Sequence, residues 1–278
     1  MACQISMEKE LTKEDLQEII EIAKNKHGYD FSDYAVTSFE RRVKYFLKHH
    51  NLPLHEIKDR LATDKKFFEA FIRTVTVNVT EMFRDPVFYR ALREEVLPKL
   101  ASYPIIKIWH AGCATGEEVF SVAILLKEAG LLSRSRIYAT DINSANLEKA
   151  ATGIIKLQNM KEYTANYIQS GGKAEFSNYY TAKYDHAIID KDIRKHILFS
   201  QHNLVTDQAF NEFHLICCRN VLIYFNKQLQ NRVIQLFYNS LSSFGYLALG
   251  SKESLLFTEC RRDFDIINQQ AKIFRKRN

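Results

Sequence analysis

The stretch Trp109-His110-Ala111-Gly112-Cys113-Ala114-Thr115-Gly116-Glu117-Glu118 holds the residues best placed to do chemistry. It lies where an apolar run, Ile105-Ile106-Lys107-Ile108-Trp109, gives way to a helical pattern. That is the position at which open α/β sheets bind nucleotide-like ligands. Small residues there, Gly112 above all, let a ligand approach the backbone closely. Neither phosphate-binding fingerprint fits, since a P-loop would end in Gly-Lys-Ser/Thr and a dinucleotide site would read G-x-G-x-x-G. Glu117 and Glu118 also place negative charge where a polyphosphate would be repelled. A ligand with hydroxyls and a cationic group suits the turn better.

The second strand ends in Ala139-Thr140-Asp141-Ile142-Asn143. An acidic residue at that tip is placed to accept hydrogen bonds from ribose hydroxyls. Taken with the acidic turn, Asp141 points to S-adenosylmethionine, which has a ribose and two cationic centres but no phosphate. The competing reading is an ordinary sheet whose acidic residues cap helices.

The elements that must position these residues fall into two parts. Residues 12–27 read as an amphipathic helix, with Thr12 and Asp15 resembling a capping box and Gly28 as the stop. A second helix is expected over 32–50, and shorter ones over 54–62 and 65–75. On the second helix, at 100° per residue, Val36, Phe39, Val43, Phe46 and Leu47 share one side. Arg41, Lys44 and Lys48 cluster opposite them, as a solvated face or as a docking strip for an acidic helix. Residues 1–76 are therefore expected to form an N-terminal helical domain and 77–278 an α/β domain. In the latter a helix over 86–100 precedes strand 105–111, helix 116–130, strand 136–140 and helix 143–152. Strand 213–218, helix 226–241 and strand 244–250 follow later. Such alternation predicts a parallel sheet wrapped by helices. Residues 264–274 read as an antiparallel edge hairpin, and 160–200 as a small β insertion.

Composition narrows the class. Forty-six per cent hydrophobic and 26% charged residues exclude a disordered or fibrous protein. No apolar run approaches the ~20 residues of a membrane span, and the opening MACQISMEKELTKED shows no secretory h-region. Five cysteines (Cys3, Cys113, Cys217, Cys218 and Cys260) form no CxxC pair, which fits a reducing cytoplasm. Nine histidines include no HExxH or HxxxH, so no protein-ligated metal is expected. The net charge of +6 is concentrated late in the chain, in Arg261, Arg262, Lys272, Arg275, Lys276 and Arg277. It reads as a solvated basic tail or as a preference for an acidic partner.

Four further segments carry a resemblance: Asn78-Val79-Thr80-Glu81-Met82-Phe83-Arg84-Asp85, Thr115-Gly116-Glu117-Glu118, His202-Asn203-Leu204, and Cys218-Arg219-Asn220-Val221-Leu222-Ile223-Tyr224-Phe225. With these, and with Glu40-Arg41-Arg42 in the helical part, the chain resembles the chemotaxis protein methyltransferases (CheR-type) over nearly its whole length. The resemblance implies a Rossmann-like class I methyltransferase sheet behind an all-α domain. It further implies transfer of a methyl group from S-adenosylmethionine to glutamate side chains of chemoreceptors, leaving S-adenosylhomocysteine. Asn78, Thr80 and Arg84 would reach the cofactor. Glu118 would bind its methionine or ribose portion, with neighbouring Glu117 as the open alternative. Asp141 would take the ribose hydroxyls, Asn203 and Leu204 the adenine, and Arg219 and Asn220 would lie below the sulfonium. Arg84 and Tyr224 would flank the transferred methyl.

Three departures stand out. Met82 replaces a usual aromatic. Gly250-Ser251-Lys252-Glu253 is a variant of a family Gly-His-Ser-Glu pattern and is read as lying off the core chemistry. The insertion offers only Gly171-Gly172 where tethering members have a glycine-rich loop, so binding of a receptor's C-terminal pentapeptide is not expected. The expected protein is a cytoplasmic monomer acting on the helical region of a chemoreceptor, with Arg41, Lys44 and Lys48 as docking face. No nucleic acid or membrane insertion is expected. A cofactor- or receptor-binding scaffold is the main alternative, and a nucleic-acid methyltransferase, whose Asp/Asn-Pro-Pro-aromatic motif is absent, is the lesser one.

Overall fold

The computed structural model describes residues 11–278. Cys3 and most of the N-terminal stretch read as lacking an h-region lie outside the described residues. The chain divides into two compact units at Val77/Asn78.

The first unit contains α1 (Lys13–His27), α2 (Val36–His50), α3 (Leu54–Thr63) and α4 (Lys65–Val75). Thr12 and Asp15 cap α1 reciprocally, and Gly28 ends it at φ 77, a left-handed turn that glycine adopts without strain. Asp64 caps α4 by accepting the Phe67 amide at 3.1 Å. Helix α2 starts later than its periodicity predicts, because the Asp30 carboxylate takes the Ser32 amide at 2.9 Å in a local turn. Ile19, Val43, Phe46, Ile57 and Phe71 are buried in this unit's core, with Phe46 and Phe71 edge to face at 5.2 Å.

The second unit opens with α5 (Pro86–Ala91), which widens through a π turn at Leu92–Val96 into α6 (Leu97–Leu100). Pro98 lacks the amide that a regular helix would need there. Then follow β1 (Ile106–Ala111), α7 (Glu117–Glu128), β2 (Ser135–Asp141), α8 (Ser144–Thr152), β3 (Ile154–Lys156), α9 (Met160–Gln169), β4 (Tyr180–Lys183), β5 (His186–Ile189), α10 (Lys191–Arg194), β6 (Ile197–Gln201), β7 (Phe213–Cys218), α11 (Lys227–Ser240), β8 (Leu241–Leu249), β9 (Phe264–Asn268) and β10 (Ile273–Lys276). The main sheet has seven strands in the order β6-β2-β1-β7-β8-β10-β9. The first five are parallel, and β10 pairs antiparallel with both β8 and β9. Strands β1 and β7 are nearly continuously buried, as expected of parallel strands with neighbours on both sides. This is the Rossmann-like sheet with its antiparallel edge hairpin.

The span 160–200 differs from expectation in extent. A small antiparallel sheet exists, in the order β3-β5-β4, but it begins at Ile154 and helix α9 lies between its strands. Ile197–Gln201 is not part of it; this segment pairs in parallel with β2 as the outer strand of the main sheet. The reason is its alternation: Ile197 and Phe199 pack against the core while Leu198 and Ser200 face outward. No helix among the described residues is long and apolar enough to cross a membrane.

Candidate active site

The carboxyl ends of β1, β2, β6, β7 and β8 share one edge of the sheet, where open α/β folds place ligands. At this edge the turn after β1 is fastened to the end of β2. The Gly112 and Cys113 amides both donate to the Thr140 carbonyl, at 2.8 and 2.9 Å. Gly112 has φ 76, and a Cβ there would lie 2.5 Å from Cγ2 of Val221, so the first turn packs directly on the turn after β7. Asp141 completes the fastening. Its Oδ2 accepts the Ala114 amide and its Oδ1 the Asn143 amide, each at 2.8 Å. Burial pushes the Asp141 carboxyl above its ordinary value, only partly offset by these amides. Asn146 donates to Asp141 at 3.4 Å and to the side-chain oxygen of Asn78 at 2.7 Å. The His202 amide donates to the Asp141 carbonyl at 3.2 Å, which sets Asn203 and Leu204 just past the end of β6, beside Asp141.

The two acids that open α7 live in opposite surroundings. Glu118 Oε1 meets Nδ1 of buried His110 at 2.9 Å and its Oε2 accepts from Arg219 at 3.1 Å. Burial raises the Glu118 pKa, but the His110 bond and the Arg219 charge outweigh it and hold the carboxyl below its usual range. Glu117 is bonded by the Thr115 hydroxyl at 2.6 Å, and burial pushes its carboxyl upward. Glu117, not Glu118, lines a cavity of ≈ 490 Å³ together with Asn78, Thr80, Thr115, Lys149 and Tyr163.

Arg219 is the hub of the turn after β7. Besides Glu118 it holds Asp85 at 2.7 Å and the Arg84 carbonyl at 3.4 Å, and it stacks on Phe88 at 4.0 Å. Phe83 and Asp85 are both left-handed, with φ 55 and 58, so Arg84 sits between two strained residues that Arg219 and the Ser121–Phe83 hydrogen bond secure. The Arg84 guanidinium is partly exposed and makes no ion pair among the described residues. Asn220 is left-handed as well (φ 62), and Glu253 supports it. The Glu253 carboxylate accepts amides from Asn220 at 3.1 Å, Ile223 at 3.3 Å and Gly250 at 2.6 Å. Tyr224, half-buried, closes the short 3-10 turn that follows.

The expected residues of the second unit thus gather at the sheet edge, Asn78 joined to Asp141 through Asn146 and, like Thr80, also lining the cavity, whereas Arg41, Lys44 and Lys48 belong to the first unit. In that stripe Lys44 is paired with Glu40 at 2.7 Å, whereas Arg41 and Lys48 are exposed and make no ion pair among the described residues. Sequence reading missed Asn146, Asp85, His110 and Glu253. The pattern Gly250-Ser251-Lys252-Glu253 was the one signal available for Glu253, whose carboxylate buttresses the Arg219–Tyr224 turn. His110, Glu118 and Cys217 have the spacing of metal ligands, within 4.8 Å. Arg219 already occupies Glu118, and burial keeps the Cys217 thiol protonated, so the group reads as internal packing.

The donor set suits S-adenosylmethionine. The turn opens α7 with acids, Asp141 keeps lone pairs for hydroxyl donors, and glycine leaves the backbone bare where a ligand would lie. Comparisons with known proteins agree. Residues 78–273 match the family model described as CheR methyltransferase, SAM binding domain, and residues 14–76 match CheR methyltransferase, all-alpha domain. A protein of Pseudomonas putida named as a methyltransferase, Cher3, is 45% identical over 94% of this chain and 96% of its own length. A chemotaxis protein methyltransferase of Listeria monocytogenes is 32% identical over 84% of this chain and 88% of its own. Among solved structures, the N-methyltransferase NodS of Bradyrhizobium japonicum, in complex with S-adenosylhomocysteine, aligns with a TM-score of 0.40 at 14% identity, over 81% of this chain and 98% of that one. With both of its units matched, this chain belongs to the CheR methyltransferase family and is an S-adenosylmethionine-dependent methyltransferase.

Proposed function

We propose that the chain methylates glutamate side chains in the cytoplasmic helical region of a chemoreceptor, working as a cytoplasmic monomer. S-adenosylmethionine supplies an electrophilic methyl group on a sulfonium. The protein has only to present a carboxylate in line with it. A glutamate with pKa near 4.3 is already ionised at neutral pH, so no strong general base is needed. Positioning can contribute up to ~7–11 kcal/mol when reacting atoms are held about 3 Å apart.

The observation that carries this reading is the seating of Arg84. Its backbone is fixed on both sides, and its guanidinium, close enough to act on the Glu81 carboxyl, makes no ion pair among the described residues and can meet an incoming carboxylate. Charge is lost on the way to the transition state, so too firm a grip would favour the ground state. Arg84 therefore orients, and the Tyr224 hydroxyl steers. On the cofactor side, Asp141 takes the ribose hydroxyls, Asn203 and Leu204 the adenine, and Asn78, Thr80, Gly112 and Asn220 line the remainder. Glu117 is the better placed of the two acids to meet a ligand, because both Glu118 oxygens are engaged. Arg219 acts mainly as the brace between the turns.

Labelled cofactor tests the reading. Base-labile label on receptor protein supports the carboxyl ester, label on nucleic acid supports a different methyltransferase, and no transfer supports a scaffold. Tyr224→Phe should lower kcat about tenfold or more while cofactor affinity by calorimetry stays unchanged; equal losses in both would make Tyr224 a binding or folding residue. The exposed stripe of α2 is read as a receptor-docking face. Reversing Arg41 and Lys48 should slow receptor methylation with cofactor affinity intact, and an unaltered rate would remove that role.

A further inference from the structure

The loop after β8 carries the most exposed pair of large apolar neighbours in the second unit. Leu256 is 63% and Phe257 79% exposed, and Ile223 in the adjoining turn is 37% exposed. Single exposed hydrophobics are ordinary, but two in succession on a braced loop are not. The loop is tied to the catalytic turn by Glu253, whose carboxylate holds Ile223 and Asn220 on one side and the Gly250 amide on the other. The Glu259 amide donates to Asn231 at 2.9 Å and anchors the far end to α11. Leu256 and Phe257 therefore stand on a loop that Glu253 joins to the turn ending in Tyr224.

The charges nearest the apolar pair are lysines, with the exposed Glu259 lying at the anchored far end. Lys227 lies 5.4 Å above the Phe257 ring, and Lys252 is exposed with no ion pair among the described residues. Lys227 is also the first residue of α11, whose opening turn contains no acid. A cation at the positive end of a helix dipole disfavours folding, and the contact with the exposed Phe257 ring is a weak offset. An anionic partner would be attracted by the lysine and by the helix end together.

We propose that Ile223, Leu256 and Phe257, flanked by Lys227 and Lys252, form the docking lip for the acceptor segment itself: an amphipathic, acidic helix that lays apolar residues on the lip and presents one of its glutamates to Tyr224 and Arg84. The proposal rests on the carboxyl-methylation reading and names the surface that selects its substrate. Helix-in-groove recognition uses apolar anchors at helical spacing with charged neighbours, which is what the lip complements.

The test uses the full chain, labelled S-adenosylmethionine and the purified cytoplasmic fragment of a chemoreceptor from the same cell. Both substituted side chains are largely exposed, so the double variant Leu256→Ser/Phe257→Ser should melt like the parent. It should raise KM for the receptor fragment about tenfold while kcat at saturation and cofactor Kd change less than about twofold. Lys227→Glu should also raise KM and flatten its dependence on salt. Unchanged KM in both variants, with receptor labelling intact, overturns the lip and leaves the methylation reading standing. Failure of the parent protein to label any receptor glutamate overturns both. A fall in kcat with KM unaltered would assign the loop to the chemistry and also reject docking.

Discussion

The turn after β1 and the turn after β7 each hang from a buried carboxylate that accepts backbone amides. Asp141 holds Ala114 and Asn143; Glu253 holds Asn220, Ile223 and Gly250. In each turn a non-glycine residue sits in the left-handed region, Ala114 at φ 47 and Asn220 at φ 62, a conformation that persists only where neighbours enforce it. Burial raises both carboxyls above their ordinary values, because the amides offset the lost water only in part. The two acids accept the same number of bonds and differ in what donates them. Asp141 takes two short backbone amides and, at 3.4 Å, the Asn146 side chain, a long bond that can yield to a hydroxyl. Glu253 takes three backbone amides, which cannot yield unless the turn itself moves. One carboxylate can therefore brace and bind, while the other is committed to bracing.

If Glu253 is purely a brace, its loss should act on folding first. Glu253→Ala leaves three inward-facing amides without their acceptor, at ~1–3 kcal/mol for each that water cannot reach. A total of about 4 kcal/mol would lower Tm by roughly 10 °C for a unit of this size. Trp109, buried in β1, is the chain's single tryptophan, so its fluorescence reports this unit alone. Activity should fall along with the fold; a stable but inactive variant would give Glu253 a role in the chemistry.

A smaller loss is expected where the two turns touch. Gly112→Ala brings a Cβ to within 2.5 Å of Val221 Cγ2 at a φ of 76, so strain and collision act together. We expect a loss of about 2–3 kcal/mol. Val221→Ala in the same chain should restore roughly 1 kcal/mol of it, measured as the coupling in a double-mutant cycle. Strict additivity would mean that the turns do not bear on each other.

Much of this edge was legible in the sequence, and the illegible parts share a cause. Asp141 could be found because a strand tip is a position that periodicity locates. The cap of α1 could be found because Thr12 and Asp15 are close in sequence and act through their own side chains. Glu253 could not be given its role, since its partners are backbone amides, which carry no residue identity, some 30 positions away. Glu117 and Glu118 could not be told apart because successive helical residues differ by 100° and nothing local says which one turns inward. That is decided by Arg219, 101 positions further on. Strand β6 was assigned to the insertion for a related reason: a short edge strand with one wet face alternates like any hairpin strand, and only its pairing with β2 reveals the sheet it joins.

The smallest effect on folding, and the most specific for binding, should come from Asp141→Asn. The amide oxygen can still accept one backbone N–H, so the stability loss should be near 1 kcal/mol. Cofactor affinity should weaken by about 1–3 kcal/mol, since a buried acceptor for the ribose is replaced by a group that is half donor. The pH dependence separates the two roles. Because burial raises the native Asp141 pKa above the unfolded value of 3.8, the native state holds its proton longer than the unfolded chain. The parent therefore loses stability as pH rises from about 3.8 through the elevated native value, and levels off above it. The Asn variant lacks that component, so the stability gap between the two should narrow over the same interval. Cofactor binding should move the opposite way. Hydroxyl donors favour the ionised carboxylate, so the parent's affinity should increase with pH across the window while that of the variant stays flat. Calorimetry showing equal affinity for both proteins at every pH would reduce Asp141 to a brace like Glu253.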